Sequence, residues 1–273
     1  MPTADRKTAL ITGASFGIGL ELARIFAREG YNLVLVARSA DKLRQLAAEL
    51  EKTHGARSLI LAVDLTEPGA PAYVLDQTTR ADIRVDVLVN NAGFGQYGKF
   101  AENDLEECLR QIQLNVTTLT HLTRLYLPAM IERAKIEGEK TQRKSGRILN
   151  VASTAAFQPG PLMAVYYATK AYVLHFSEAI SNELQDTGIT VTCLCPGPTE
   201  TEFQKRANIS GIRLTKYGTM DASTVAEDGY RALIAGKTVA ISGFRNWLIA
   251  QSVRFAPRRM VAAMARKLQE DSH

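Results

Sequence analysis

Seven short runs of aliphatic and β-branched residues recur along the chain, each parted from the next by a longer stretch with helical spacing of its apolar residues. The runs are Thr8–Thr12, Asn32–Ala37, Ser58–Val63, Val85–Asn90, Arg147–Val151, Thr190–Leu194 and Thr238–Ile241. Most are apolar on both faces, as strands of a parallel sheet covered by helices on each side must be. Right-handed crossovers then predict a doubly wound α/β sheet of seven mainly parallel strands with helices on both faces. No repeat or linker divides the 273 residues, so one domain is expected, with its core at about 8–243 and an extension at 244–273. The polar stretch from Lys135 to Gly146, KIEGEKTQRKSG, reads as a solvated loop.

Composition narrows the classes. Hydrophobic residues make up 46% and charged residues 22%, the balance of a globular chain. The start, MPTADRK, runs straight into a strand pattern and leaves no room for a signal peptide, so a mature start at or near Met1 is expected. Three cysteines, Cys108, Cys193 and Cys195, suit a reducing compartment, and a cytoplasmic protein is expected. Cys193 and Cys195 alternate in a strand-like run, which reads as packing, and the four histidines are scattered, so no metal is expected. The formal charge is +5, but residues 244–269 hold six basic residues (Arg245, Arg254, Arg258, Arg259, Arg266 and Lys267) and no Asp or Glu. Without those six, 27 basic residues face 28 acidic ones, a net of −1. The body is neutral, and no nucleic-acid partner is expected.

The first run ends in ITGASFGIGLELA. Gly13, Gly17 and Gly19 stand at GxxxGxG spacing, where a glycine turn lets a phosphate approach the backbone and the helix beginning near Gly17 offers free N–H groups. The second run, NLVLVA, is followed by Arg38 and Ser39. A carboxylate at that place would hold a ribose hydroxyl, whereas Arg suits the 2′-phosphate of NADP; Arg38 with Ser15 and Ser39 therefore points to NADP(H) over NAD(H). Farther on, AVYYATKAY sets Tyr166 four and Tyr167 three residues before Lys170. Both spacings share a helix face with the lysine, so geometry alone leaves the choice open.

These motifs together resemble the short-chain dehydrogenase/reductase family. TGASFGIG (12–19), Asp64, NNAG (90–93), Asn115, Ser153 in NVAS, YYATK (166–170) and PG (196–197) stand in the family's order and at its spacings over roughly residues 8–200. The resemblance implies a Rossmann-like fold. It places the catalytic serine thirteen positions before the tyrosine, which selects Tyr166 for proton donation and sends Tyr167 into packing. By the same resemblance Lys170 lowers the Tyr166 pKa and bonds the nicotinamide ribose, Ser153 steadies the substrate oxygen, and Asn115 holds a relay water. Gly13, Ser15, Phe16, Gly17, Ile18 and Gly19 are expected along the cofactor, with Asp64 and Leu65 at the adenine. Asn91, Ala92 and Gly93 would lie against its ribose, and Pro196, Gly197 and Thr199 on the nicotinamide side.

Substrate choice is expected in three loops: Phe94 to Tyr97, Phe157 to Met163, and Glu200 to Tyr217. Phe94, Tyr97, Phe157, Leu162, Met163, Phe203, Ile209, Ile212 and Leu214 suggest an apolar carbonyl or alcohol. Lys205, Arg206, Arg213 and Lys216 would suit an anionic acyl carrier and a 3-oxoacyl-carrier reductase instead. After Pro257, the residues Met260, Val261, Met264, Ala265 and Leu268 recur at helical spacing beside the basic ones. Such a helix would cover the pocket, join two subunits or lie on an anionic membrane, with Trp247 at the interface. The leading reading is an NADP-dependent oxidoreductase of the EC 1.1.1 type, homodimeric or homotetrameric as its relatives commonly are; the alternative is an NADP-binding sensor or membrane-associated scaffold.

Overall fold

The structure, a computed structural model, describes residues 6–141, 146–202 and 218–270. Seven strands, β1 (Thr8–Thr12), β2 (Asn32–Ala37), β3 (Ser58–Ala62), β4 (Val87–Asn90), β5 (Gly146–Val151), β6 (Ile189–Cys195) and β7 (Val239–Ile241), form one sheet in the order 3-2-1-4-5-6-7. Every pairing is parallel, with Leu10 opposite Val34 on one side and Leu88 on the other. The order reverses between β1 and β4, the switch point at which such sheets open a crevice beyond their carboxyl ends.

Alternation along the strands builds a core on each face. Ala9 and Ile11 pack with Leu22 and Phe26 of α1 (Gly17–Arg28), Leu43 and Leu50 of α2 (Ala40–His54) and Leu233 of α7 (Ala222–Ala235). Leu10, Val34 and Ile148 point the other way, toward Val74 of α3 (Ala70–Arg80) and Leu122 and Met130 of α5 (Leu119–Thr141). Both faces are therefore covered by helices. A third cluster joins Val173 and Leu174 of α6 (Ala164–Glu183) to Cys193 and Cys195, both fully buried and free of disulfides.

Local chemistry sets several boundaries. Asp221 accepts from the Ser223 and Thr224 amides at the start of α7, and Asp104 accepts from the Glu107 amide at the start of α4 (Leu105–Ile112). Gly55 and Gly236 take the left-handed conformation that ends α2 and α7. The stretch beginning at Lys135 departs from the expected loop: α5 runs on through Thr141, residues 142–145 lie outside the described residues, and Gly146 opens β5. Lys and Glu are good helix formers, so the polarity of that stretch does not end the helix.

Beyond β7 follow α8 (Phe244–Ser252), a 3₁₀ turn (Val253–Phe255) and α9 (Arg258–Gln269), with Pro257 at the N-cap of α9. Among the described residues no helix is long and apolar enough to cross a membrane, and no group of three or more His, Cys, Asp or Glu side chains is placed to hold a metal. Phe26 is fully buried and meets Tyr31 and Tyr230 edge-on at centroid distances of 5.1 and 5.2 Å. Phe26→Ala is expected to lower unfolding free energy by about 3–5 kcal/mol in urea titration, through lost burial and the cavity left behind.

Candidate active site

The carboxyl ends of β1, β4 and β5 are held together by side-chain hydrogen bonds. Asn91 donates from Nδ2 to the carbonyl of Thr12 at 2.9 Å, while the amides of Asn91 and Ala92 both donate to Thr12 Oγ1 at 3.0 Å. One residue earlier, Asn90 Nδ2 donates to Asn150 Oδ1 (2.9 Å) and Asn150 Nδ2 to Ser177 Oγ (2.9 Å), which ties α6 to the same frame. Gly13, at φ +68°, turns the chain there, and a Cβ on it would stand 2.8 Å from Asn91 Nδ2.

Beyond these ends lies a cavity of about 1010 Å³. One end is lined by Gly13, Ser15, Phe16, Gly17, Ile18, Arg38, Ser39, Asp64, Leu65, Asn91, Ala92 and Gly93. Ser153, Tyr166, Lys170, Pro196, Gly197 and Thr199 line its middle. Two of the expected residues stand behind the wall. Gly19 is buried against Gly13, where a Cβ would come within 2.3 Å of the Gly13 carbonyl oxygen. Asn115 is buried in a π-helical turn (Gln113–Thr118), donating to the Phe94 carbonyl at 2.9 Å and the Thr169 hydroxyl at 3.1 Å. A Cβ on Gly93 would stand 3.0 Å from Asn115 Oδ1 and 3.5 Å from Lys170 Nζ, so both groups border one small space.

The residues fit a dinucleotide. The N-terminus of α1 has no side-chain cap and no acidic residue in its first turn, which leaves its amides and positive dipole end for an anion. The half-exposed Arg38 guanidinium stands 3.8 Å from the Asp64 carboxylate. Burial pushes the Asp64 carboxyl up, but hydrogen bonds from the Thr66 amide and hydroxyl, together with the Arg38 and Arg110 charges, hold it below the usual range.

Lys170 is buried and donates from Nζ to the Val151 carbonyl at 2.8 Å. Desolvation lowers its pKa to about 8. The buried Cys195 thiol beside it is held well above its ordinary range and stays neutral, so it gives the ammonium no counter-charge at neutral pH. The Tyr166 ring keeps exposure only partly, and that toward the cavity it lines. Burial pushes its phenol pKa up, and the hydrogen bond with Ser153 opposes the rise. The Lys170 ammonium lies 5.8 Å from the Tyr166 ring centroid, and desolvation of the phenolate is the largest influence on the phenol. Ser153 Oγ also accepts from the Ala155 amide at 3.1 Å.

Tyr167 packs against Ala155 and Met163 as expected, but it also lines the cavity. Its hydroxyl accepts from Gln269 Nε2, while the Gln269 carbonyl accepts from Tyr97 at 2.8 Å. The substrate end of the cavity is thus walled by the extension, through Asn246, Ile249, Val253, Met260, Val261, Met264, Ala265, Leu268 and Gln269. The helical spacing of 260–268 was a signal for this inward face; a lone Gln at a helix end offers none. Phe94, Met163 and Tyr97 belong to the same region, while Phe203, Ile209, Ile212, Leu214, Lys205, Arg206, Arg213 and Lys216 lie outside the described residues.

A Rossmann-like sheet whose crevice carries a glycine turn beside a serine, tyrosine and lysine set is the framework of a nicotinamide-dependent oxidoreductase. The chain belongs to the short-chain dehydrogenase family, whose sequence model matches residues 7–210. A very-long-chain 3-oxoacyl-CoA reductase of Bos taurus is 33% identical over 201 residues, 72% of this chain and 61% of that protein. A short-chain dehydrogenase from Sphingobium yanoikuyae in complex with NADPH matches with a TM-score of 0.77 and 33% identity, covering 91% of this chain and 93% of that one. A Burkholderia phymatum member in complex with NAD covers 100% of each chain with a TM-score of 0.80 at 22% identity, a likeness of fold alone. The chain spans 61% and 65% of the length of two further curated relatives it matches.

The buried Lys170 couples the site to stability. Its pKa is about 8 folded against an ordinary 10.5, so between these values the unfolded chain binds more protons and stability rises with pH. Below about pH 8 the full desolvation penalty applies. In paired urea titrations at pH 7 and pH 10, wild type is expected to gain on the order of 1–3 kcal/mol over Lys170→Met across that interval.

Proposed function

We propose that the protein is an NADP-dependent oxidoreductase that interconverts an apolar carbonyl compound and its alcohol. The observation that carries this reading is the meeting of Ser153, Tyr166 and Lys170 on the wall of one cavity that runs from the glycine turn to an apolar end. NADP(H), when bound, supplies or accepts the hydride. The amides at Gly13 to Gly17 and the start of α1 take the pyrophosphate, and Gly19 lets the helix lie close behind. Arg38, with Ser15 and Ser39, takes the 2′-phosphate, which offers the guanidinium a stronger partner than Asp64 does at 3.8 Å. Asp64 and Leu65 flank the adenine, Asn91 to Gly93 the ribose, and Pro196, Gly197 and Thr199 the nicotinamide.

The chemistry at the substrate oxygen falls to three side chains. Ser153 donates a hydrogen bond that strengthens as the oxygen becomes negative. Tyr166, kept neutral by burial, holds the proton at its phenol oxygen and delivers it there. Lys170, anchored on the Val151 carbonyl, stabilises the phenolate that delivery leaves. Asn115 acts through the Phe94 backbone and Thr169, and with Lys170 it borders the space for a relay water. In the oxidative direction the same groups run in reverse.

Met163, Val253, Met260, Met264 and Leu268 make the far wall suited to an apolar substrate. The long apolar wall and the name of the Bos taurus relative favour a 3-oxoacyl thioester as a second substrate class. The chain works in the cytoplasm as one domain, residues 8–243 carrying the core. Leu105, Leu109 and Ile112 form an exposed apolar stripe on α4, and Tyr172 is exposed on α6, which supports a homodimer or homotetramer.

Tyr166→Phe is expected to reduce kcat/KM by on the order of 10²–10⁴, while Tyr167→Phe keeps most of the activity. Equal activity of the two variants would sink the assignment. Fluorescence titration with NADPH and NADH, followed by turnover on a carbonyl panel, tests the whole reading. Tighter NADPH binding is expected, weakened at least tenfold by Arg38→Ala; a preference for NADH would overturn the role of Arg38. Binding without turnover on any carbonyl would favour the sensor or scaffold.

A further inference from the structure

The extension has a second side. Phe255 is 89% exposed and Phe244 75%, and Trp247 and Leu248 are about half exposed. None of these four lines the cavity. Phe244 and Trp247 stack at 5.9 Å, so two aromatic faces are presented together at the surface. The same segment carries Arg245, Arg254, Arg258, Arg259, Arg266 and Lys267, and no acidic residue from 244 to 269. Arg266 forms an i,i+4 ion pair with Glu270 at 3.1 Å. Large exposed apolar side chains on a segment whose charges before Glu270 are all positive match an anionic bilayer surface, where aromatic rings enter the headgroup boundary and the cations meet lipid charge. A second copy meeting this patch about a two-fold axis would set the same cations against each other.

The same helices wall the substrate end of the cavity. Ile249 on α8 and Met260 and Met264 on α9 line it while remaining about half exposed, so the cavity reaches the surface on the elements that carry the patch. Gln269 pins the far end of α9 to Tyr97 and Tyr167, which leaves the Met260 end as the rim. We infer that residues 244–269 dock the protein on an anionic membrane surface and open the substrate end of its cavity toward the bilayer, from which an apolar carbonyl or alcohol substrate is exchanged. The exchange rests on the proposed oxidoreductase activity; the docking does not.

Cosedimentation of the full chain with vesicles of phosphatidylcholine, alone or mixed with phosphatidylserine, tests the docking. At least tenfold tighter binding to the mixed vesicles is expected, released by salt. Phe244→Ser with Phe255→Ser, and separately Arg254→Glu with Arg258→Glu, should each weaken it at least tenfold while NADPH binding and turnover of a water-soluble ketone stay unchanged. Turnover of a long-chain ketone carried in the mixed vesicles should fall at least tenfold in the same variants. Equal or absent binding to the two vesicles would overturn the docking, as would loss of an oligomer in the Phe244→Ser, Phe255→Ser chain without any vesicle binding. Unaltered turnover of the vesicle-borne ketone in variants that no longer bind would overturn the exchange. Vesicle binding without turnover of any ketone would uphold the docking and sink the oxidoreductase reading itself.

Discussion

The short hydrogen bonds from Asn91 to Thr12 carry more of this molecule than their number suggests. Parallel strands β1 and β4 diverge in their connections at the switch point, and their carboxyl ends would otherwise present unpaired backbone groups to the crevice. Thr12 Oγ1 takes two amides from the NNAG loop, while the Asn91 side chain takes the Thr12 carbonyl. Glycine turn and NNAG loop are thereby set as one rigid floor, and Asn90 and Asn150 extend that floor to α6, which carries Tyr166 and Lys170. Small polar residues therefore crowd a region that is otherwise aliphatic, and among the described residues the buried Asn90 Oδ1 has no hydrogen-bond partner.

Burial does opposite things to the two titratable groups that share α6. It disfavours the ammonium of Lys170, bringing its pKa to about 8, and it disfavours the phenolate of Tyr166, pushing that group up. Each shift disfavours the charged form of its group, yet at about 8 the lysine still carries its proton at pH 7. The Val151 carbonyl, at 2.8 Å, is the fixed contact that keeps the ammonium in place meanwhile.

Much of the sheet was legible because a strand buried on both faces leaves a continuous aliphatic run, and β1 and β2 begin and end where their runs do. Shorter strands lost a residue or two where twist or an edge position breaks the ladder, as β3 and β4 did. The length of α5 was hidden because a polar stretch such as KIEGEK carries no apolar period while its residues still favour helix. In the site, spacing to Lys170 could not separate Tyr166 from Tyr167, and the family likeness resolved the order of roles. The clamp at Gln269 was invisible, since a hydrogen bond between residues 172 apart leaves no local pattern.

That same span has a consequence for how the molecule forms and breathes. Closing a loop from Tyr97 to Gln269 is entropically late, after the neighbouring strands have already paired, so the cofactor end of the cavity can be complete while its substrate wall is still open. Few aliphatic side chains of α8 and α9 are buried, namely Ala250, Val261 and Ala265, against eighteen in the seven strands. Sparse burial of this kind marks the segments of a fold that open most readily.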